Sequence, residues 1–232
     1  MIYHNLKTVF VEITKNASTS VKRTLLDRND GVYPDHSTYD MLTSVAEGNG
    51  EDISGYYKFV ISRNPYDRFC SGWEYMQVAM RWPMSFDETL DYLLSCAARA
   101  NGQPISVLDE NGDPVPEKLN RALDGQLQYW WDDAPPLIWP QTGFIKSESL
   151  NGDIAISNFF KIEEIDQKWP IIAAAINQLS GANVSSVLPV YNALPDRPDY
   201  TTYFEGELGA ERIQKINTLF AEDFTTFGYE TL

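Results

Sequence analysis

Two short polar turns carry the residue types that could do chemistry. The first, "TKNASTS" (14–20), offers an ammonium from Lys15 and hydroxyls from Ser18, Thr19 and Ser20, with a run of backbone N–H groups. Free N–H groups at the start of a helix, helped by its dipole, favour an anion. The same residues also read as a plain helix start, where Ser18 or Thr19 does no more than cap. The turn has no Gly, so it is not the G-x-x-x-x-G-K-[ST] phosphate loop of ordinary ATP and GTP enzymes. The second turn, "SRNPYDRFCSG" (62–72), places Arg63 at a strand end and Ser71 about two turns into the helix that follows. Arginine suits bidentate phosphate binding, and a serine on the helix face can add a hydroxyl. This stretch, too, has a structural reading: capping chemistry plus a packing arginine, with Asp67 and Arg68 as a surface pair or a contact to a neighbouring loop.

These turns need strands to deliver them and helices to receive them. Residues 7–14, "KTVFVEIT", are β-branched and aromatic over a strand's length, and Val21 and Leu25 follow at the spacing of a buried helix face. Residues 57–63, "YKFVISR", form a second strand candidate; Asn64 and Pro65 then give a helix start, continued by Phe69, Trp73, Met76 and Met80. Ser85 and Glu88 make a capping box ahead of Phe86, Leu90 and Leu93. A Gly-, Pro- and Asp-rich loop or insertion is expected over 100–116 and a helix over about 117–130. A third strand is expected at 158–163, a helix capped by Asp166 carries Trp169, Ile172 and Ile176, and a last helix runs from about Leu208. Strands alternating with helices imply an α/β fold: one domain over 1–232 with a central, mainly parallel sheet flanked by helices. Ligands of such sheets bind at the carboxyl ends of the strands, where both polar turns would open.

Composition narrows the function classes. The 232 residues carry a net charge of −15, which argues against nucleic acid or an anionic membrane face as partner. Basic residues that hold a polyanion must therefore be clustered locally. Only Cys70 and Cys96 are present, no His/Cys/Asp cluster has metal-ligand spacing, and no stretch approaches the length of a membrane span. No secretory signal is evident, so a cytoplasmic setting is expected.

Taken together, "FVEITKNASTSVKRTL" and, some forty residues on, "YKFVISRNPYDRFCSGWEYM" resemble the two donor-binding segments of sulfotransferases that use 3′-phosphoadenosine-5′-phosphosulfate (PAPS). The similarity is to the carbohydrate and heparan sulfate 2-O-sulfotransferase group, which implies a P-loop-NTPase-like sulfotransferase fold and a bacterial or viral relative. "WPQTGFI" with "FFKIEEI", "YNALPDRPDYTTYF" and "INTLFAEDFTTFGYE" are similar to three later family segments in the same order. The resemblance implies that Lys15 contacts the sulfate and the bridging oxygen, and that Asn16, Ala17, Ser18, Thr19 and Ser20 wrap the 5′-phosphate. Arg63 and Ser71 would then hold the 3′-phosphate, with Arg197 a further polar contact. Thr14 stands where the family has proline, and Glu12 where it often has histidine.

Sulfuryl transfer requires positioning of the donor, charge on its leaving group, and a base for the acceptor hydroxyl. The resemblance implies PAPS as donor, its desulfated form PAP (adenosine 3′,5′-bisphosphate) as product, and no metal. His36, in "PDHSTYDML", is one candidate base, with an ordinary pKa of about 6.5; it also reads as a surface histidine before a helix over 38–46. Glu12, at the strand end, is the other candidate, and it also reads as an ion-paired strand residue. Trp82, Trp130, Trp131 and Trp139 could stack on an acceptor or simply fill a core. The acidic balance favours a neutral glycan or small alcohol as acceptor. Two other readings stay open: a small-molecule kinase with a degenerate P-loop, and a nucleotide-binding module without catalysis.

Overall fold

In a sheet buried on both faces, strands read as continuous apolar runs instead of alternating ones. The strand "TVFV" is of this kind. A computed structural model describes residues 1–25, 36–100, 135–191 and 197–232. In it, β1 (Ile2–Tyr3), β2 (Thr8–Val11) and β3 (Tyr57–Ser62) are followed, much later in the chain, by β6 (Phe159–Lys161). All four residues of β2 and the last four of β3 are buried. The sheet order is β1-β2-β3-β6; β1 pairs antiparallel to β2, while β2, β3 and β6 are parallel. The register sets Val11 opposite Val60 and Ser62 opposite Lys161, so the three parallel strands end on one edge. The mainly parallel, helix-flanked α/β arrangement expected from the sequence is what the structure has. The short strands β4 (Lys146–Ser147) and β5 (Asp153–Ile154) form a separate antiparallel pair.

The chain divides into two compact units, residues 1–64 with 141–198 and residues 65–140 with 199–232. The first unit holds the sheet. Helix α1 (Ser18–Leu25) and helix α2 (Tyr39–Gly48) make the connection between β2 and β3, and α2 is capped by Thr38, whose side chain accepts from the Met41 N–H. Helix α5 (Ile165–Ser180) packs on β3 and β6 and buries Trp169, Ile172 and Ile176. Asp166 is not its cap: the helix begins one residue earlier, after Glu164, and Asp166 lies in the first turn, where a negative charge complements the dipole.

The second unit is helical: α3 (Pro65–Tyr75), α4 (Phe86–Ala100), α6 (Gly209–Leu219) and α7 (Ala221–Phe227). Its core gathers Tyr66, Phe69, Phe86, Phe204, Phe220 and Phe224. The capping box forms as expected: the Ser85 N–H donates to Glu88 Oε2 at 2.7 Å and the Glu88 N–H to Ser85 Oγ at 3.3 Å. One expectation is corrected: the last helix is two, because Phe220 leaves helical geometry between α6 and α7. Of the two readings of Arg68, the contact to a neighbouring loop is the one found; it is 1 % exposed, and its guanidinium donates to the carbonyls of Trp139 and Pro136. Trp82 and Trp139 pack against the unit's core, the space-filling reading of the two. The loop expected over 100–116 (past Ala100), the helix expected over 117–130, Trp130 and Trp131 lie outside the described residues.

Candidate functional site

At the end of β2 the chain leaves the sheet. Glu12 and Ile13 continue it, Thr14–Ala17 turn, and α1 begins at Ser18, with the Val21 N–H bonded to the Ala17 carbonyl. Lys15 (φ 67°) and Ala17 (φ 58°) both adopt the left-handed region. For residues with a Cβ this costs on the order of 1 kcal/mol each, and a glycine would avoid it. Alternating left-handed residues ahead of a helix N-terminus are the kind of backbone that can bind an anion. Lys15, Ala17, Ser18 and Thr19 are half-buried, while Asn16 is fully buried.

The Asn16 side chain points into the protein. Its Nδ2 donates to the Ile61 carbonyl at 2.8 Å and to Gln141 Oε1 at 2.7 Å. Gln141, also fully buried, accepts from the Arg63 N–H at 2.9 Å and returns a bond from Nε2 to the Arg63 carbonyl at 2.8 Å. The Arg63 guanidinium in turn donates from Nη1 to the Lys15 carbonyl at 3.1 Å. Two turns that lie 48 residues apart are thus fastened by one glutamine and one asparagine. Beside them, the Asn64 N–H is taken by Glu163 Oε1 at 2.8 Å, just past the end of β6.

The two rival bases prove to be neighbours. Glu12 is 1 % exposed; its Oε1 lies 3.0 Å from Lys22 Nζ and 3.4 Å from His36 Nδ1, and its Oε2 accepts from the His36 N–H at 3.3 Å. Lys22 sits on α1, so the negative charge that Glu12 brings to the strand end is matched locally. The contact turns His36 Nδ1 towards Glu12 and leaves Nε2 on the far side of the ring. His36 is held in the left-handed region (φ 61°) with its side chain 41 % exposed. Tyr39, at the start of α2, is no rival base: burial, then the Asp40 and Glu47 charges, push its phenol pKa up.

The remaining expected residues divide. Ser20 is buried on α1, and its Oγ accepts from the Tyr191 N–H at 3.0 Å. Over that same tyrosine ring lies the Arg23 guanidinium, 4.5 Å from the centroid. Ser71 is buried on α3, in the second unit. Arg197 is half-buried near the end of the first unit's chain. Gln141 and Lys22 were not singled out from sequence. The signal for Gln141 is the resemblance of "WPQTGFI" to a family segment, together with a polar amide in a mostly apolar stretch; Lys22 carries none beyond its place one turn into α1.

Residues 1–95, which include Glu12, the Lys15 turn, His36, Arg63 and Ser71, match the model of the sulfotransferase family. The match supports a transferase of that kind and leaves donor and acceptor open. No curated protein and no solved structure matches the chain significantly. Among the described residues, no helix is long and apolar enough to cross a membrane, and no group of three or more His, Cys, Asp or Glu is placed to hold a metal ion.

Proposed function

We propose that the chain transfers a sulfuryl group from PAPS to an acceptor hydroxyl. The observation that carries this reading is the pair of fastened turns: Lys15 on a left-handed loop before α1, with the Arg63 guanidinium bonded to the carbonyl of that same lysine. One basic group at a helix N-terminus and a second on the neighbouring strand end suit a ligand with two separate anionic groups, and the family match over the same residues agrees. The donor supplies an activated sulfuryl group on a 5′-phosphate. Lys15 and the N–H groups of the loop neutralise the charge that builds on the departing phosphate. Arg63 binds the 3′-phosphate, which distinguishes the donor from ATP. Asn16 is assigned to holding the loop, and Ser20 and Arg197 keep the roles implied by the resemblance.

The base is His36. Glu12 is buried between Lys22 and His36, whereas the ring of His36 is partly open. As the acceptor oxygen bonds to sulfur, the bond from sulfur to the bridging oxygen breaks and its electron pair leaves with PAP. The hydroxyl proton passes to His36 Nε2, and Glu12 stabilises the imidazolium through Nδ1. The net charge of −15 favours a neutral glycan or small alcohol as acceptor.

Thermal unfolding with PAP, ATP–Mg²⁺ and AMP tests the assignment. At about 100 times its Kd, PAP stabilises the fold by about 2.7 kcal/mol, a rise of roughly 5–11 °C for a chain of this size. ATP–Mg²⁺ gives little, Arg63→Ala loses most of the PAP shift, and Lys15→Ala abolishes transfer. Stabilisation by ATP–Mg²⁺ without any by PAP refutes the reading in favour of a kinase.

A further inference from the structure

We infer that Gln141 is a positioning residue that couples the two phosphate-binding turns, so that a ligand carrying both phosphates gains affinity beyond what either phosphate earns alone. The inference rests on the PAPS reading above, and it concerns a residue whose side chain needs no contact with the ligand.

The backbone dictates the need for such a residue. In a parallel ladder, alternate residues of a strand address opposite neighbours. The Tyr57 N–H bonds to Lys7 on the β2 side, and the Val60 N–H to Asn158 on the β6 side. The odd-numbered residues of β3 therefore face β2, and Ile61 and Arg63 are the last of them. By then β2 is no longer there: its ladder ends at Val11, opposite Val60, and the chain has swung away to form the loop. The Ile61 carbonyl and both main-chain groups of Arg63 would be left unmatched inside the protein, at roughly 1–3 kcal/mol each.

Two side-chain amides take the place of the missing strand. Asn16 serves Ile61, Gln141 serves both groups of Arg63, and the two amides bond to each other. Their orientation is fixed by their partners. Asn16 faces two acceptors and so presents its NH₂; Gln141 Oε1 faces two donors and so must be the oxygen. Turning either amide over would oppose like groups. The network is thus single-valued, and it transmits position: a shift of the loop at Asn16 moves Gln141, and Gln141 holds Arg63 by both backbone groups.

Stability alone does not account for this arrangement. Asn16 Oδ1 is buried with no hydrogen-bond partner among the described residues, and Lys15 and Ala17 on either side of it are in left-handed geometry. Costs gathered on three successive residues of a phosphate loop mark a segment held in place for binding. Gln141 is what holds it against β3.

The test compares dissociation constants by calorimetry for PAP, adenosine 5′-phosphate and adenosine 3′-phosphate. The quantity read is the ratio of Kd for adenosine 5′-phosphate to Kd for PAP, the benefit of adding the second phosphate. Gln141→Met keeps the volume and loses all three bonds. Gln141→Glu keeps the shape and the acceptor but sets an oxygen against the Arg63 carbonyl, so it reads the coupling even where Gln141→Met does not fold. Each bond is worth a factor of about 2–10 in an equilibrium. The ratio is therefore expected to fall by about 10-fold or more in Gln141→Met and several-fold in Gln141→Glu, while Kd for adenosine 5′-phosphate changes by less than about 3-fold. A Gln141 variant that weakens all three ligands in parallel, or lowers Tm with the ratio unchanged, overturns the coupling and leaves a packing role. A wild-type protein with no preference for PAP over the monophosphates overturns the donor assignment itself, which is a separate result.

Discussion

Glu12 and His36 invite a double-mutant test, because their contact makes one prediction that independent roles would not. His36→Ala removes a general base, a loss of about 10²–10⁴ in kcat. Glu12→Gln leaves the base in place and removes the charge that orients it. A hydrogen bond to a charged group contributes about 1.5–3 kcal/mol. Here the Nδ1–Oε1 approach, at 3.4 Å, is a charge contact short of a hydrogen bond, and the histidine side chain is 41 % exposed to screening water. About 1–1.5 kcal/mol is then the appropriate figure, so Glu12→Gln should lower kcat by about 10-fold. If Glu12 acts only through His36, the two losses do not add: Glu12→Gln made on His36→Ala costs nothing more. Rates are measured with labelled PAPS and an acceptor found by screening glycans and small alcohols, at saturating donor. The fold is checked separately by Tm, since Glu12→Gln also deprives Lys22 of its partner. A Glu12→Gln loss of the same size in both backgrounds refutes the orienting role and makes Glu12 an independent contributor, a second base among the possibilities.

Two stability predictions concern the helical unit. A Cβ on Gly72 would lie 2.4 Å from the Leu137 carbonyl oxygen and 3.2 Å from Ile138 Cγ2. That backbone atom cannot swing aside, so overpacking costs about 3 kcal/mol against a helix-propensity gain of about 1 kcal/mol; Gly72→Ala should lower Tm by roughly 4–8 °C, and an unchanged Tm contradicts the close approach. Asp87 accepts from Arg212 Nε at 2.7 Å and Nη2 at 2.6 Å, and those bonds chiefly hold its carboxyl below the ordinary 3.8. A depressed folded pKa contributes stability above the unfolded value and loses it as pH falls through the folded one. Asp87→Asn should therefore cost about 0.5–1 kcal/mol at neutral pH, the pair being part-exposed, and progressively less below about pH 4. Urea midpoints of both proteins across that range decide it; a gap that widens on acidification has the wrong sign.

The sequence was legible where a rule is local. Pro65 marks a helix start whatever lies around it, and Ser85 with Glu88 bond within one turn. The polar turns were legible as well, because each follows a strand and precedes a helix. Arg68 is ambiguous for the opposite reason: beside Asp67 it reads as a surface charge or a loop contact, and the carbonyls that decide for the loop belong to Pro136 and Trp139, about seventy residues on. The break at Phe220 was hidden because Ile213, Ile216, Phe220 and Phe224 keep helical spacing through it. Periodicity records which side chains are buried and not whether the backbone is continuous.

Glu12 and His36 stand in the sequence as alternatives because each has one acid–base group and nothing along the chain relates residue 12 to residue 36. The fold sets them side by side: Glu12 is buried next to Lys22 and the His36 ring, and that ring is 41 % exposed. On the proposed reading the exposed ring meets the acceptor hydroxyl and Glu12 orients it. The same holds for the donor turns. Lys15 and Arg63 are legible separately, each with an equally good structural explanation, and it is the bond between them together with the path through Asn16 and Gln141 that ties the two turns to each other. A ligand with two phosphates needs that tie; a capped helix and a packing arginine do not.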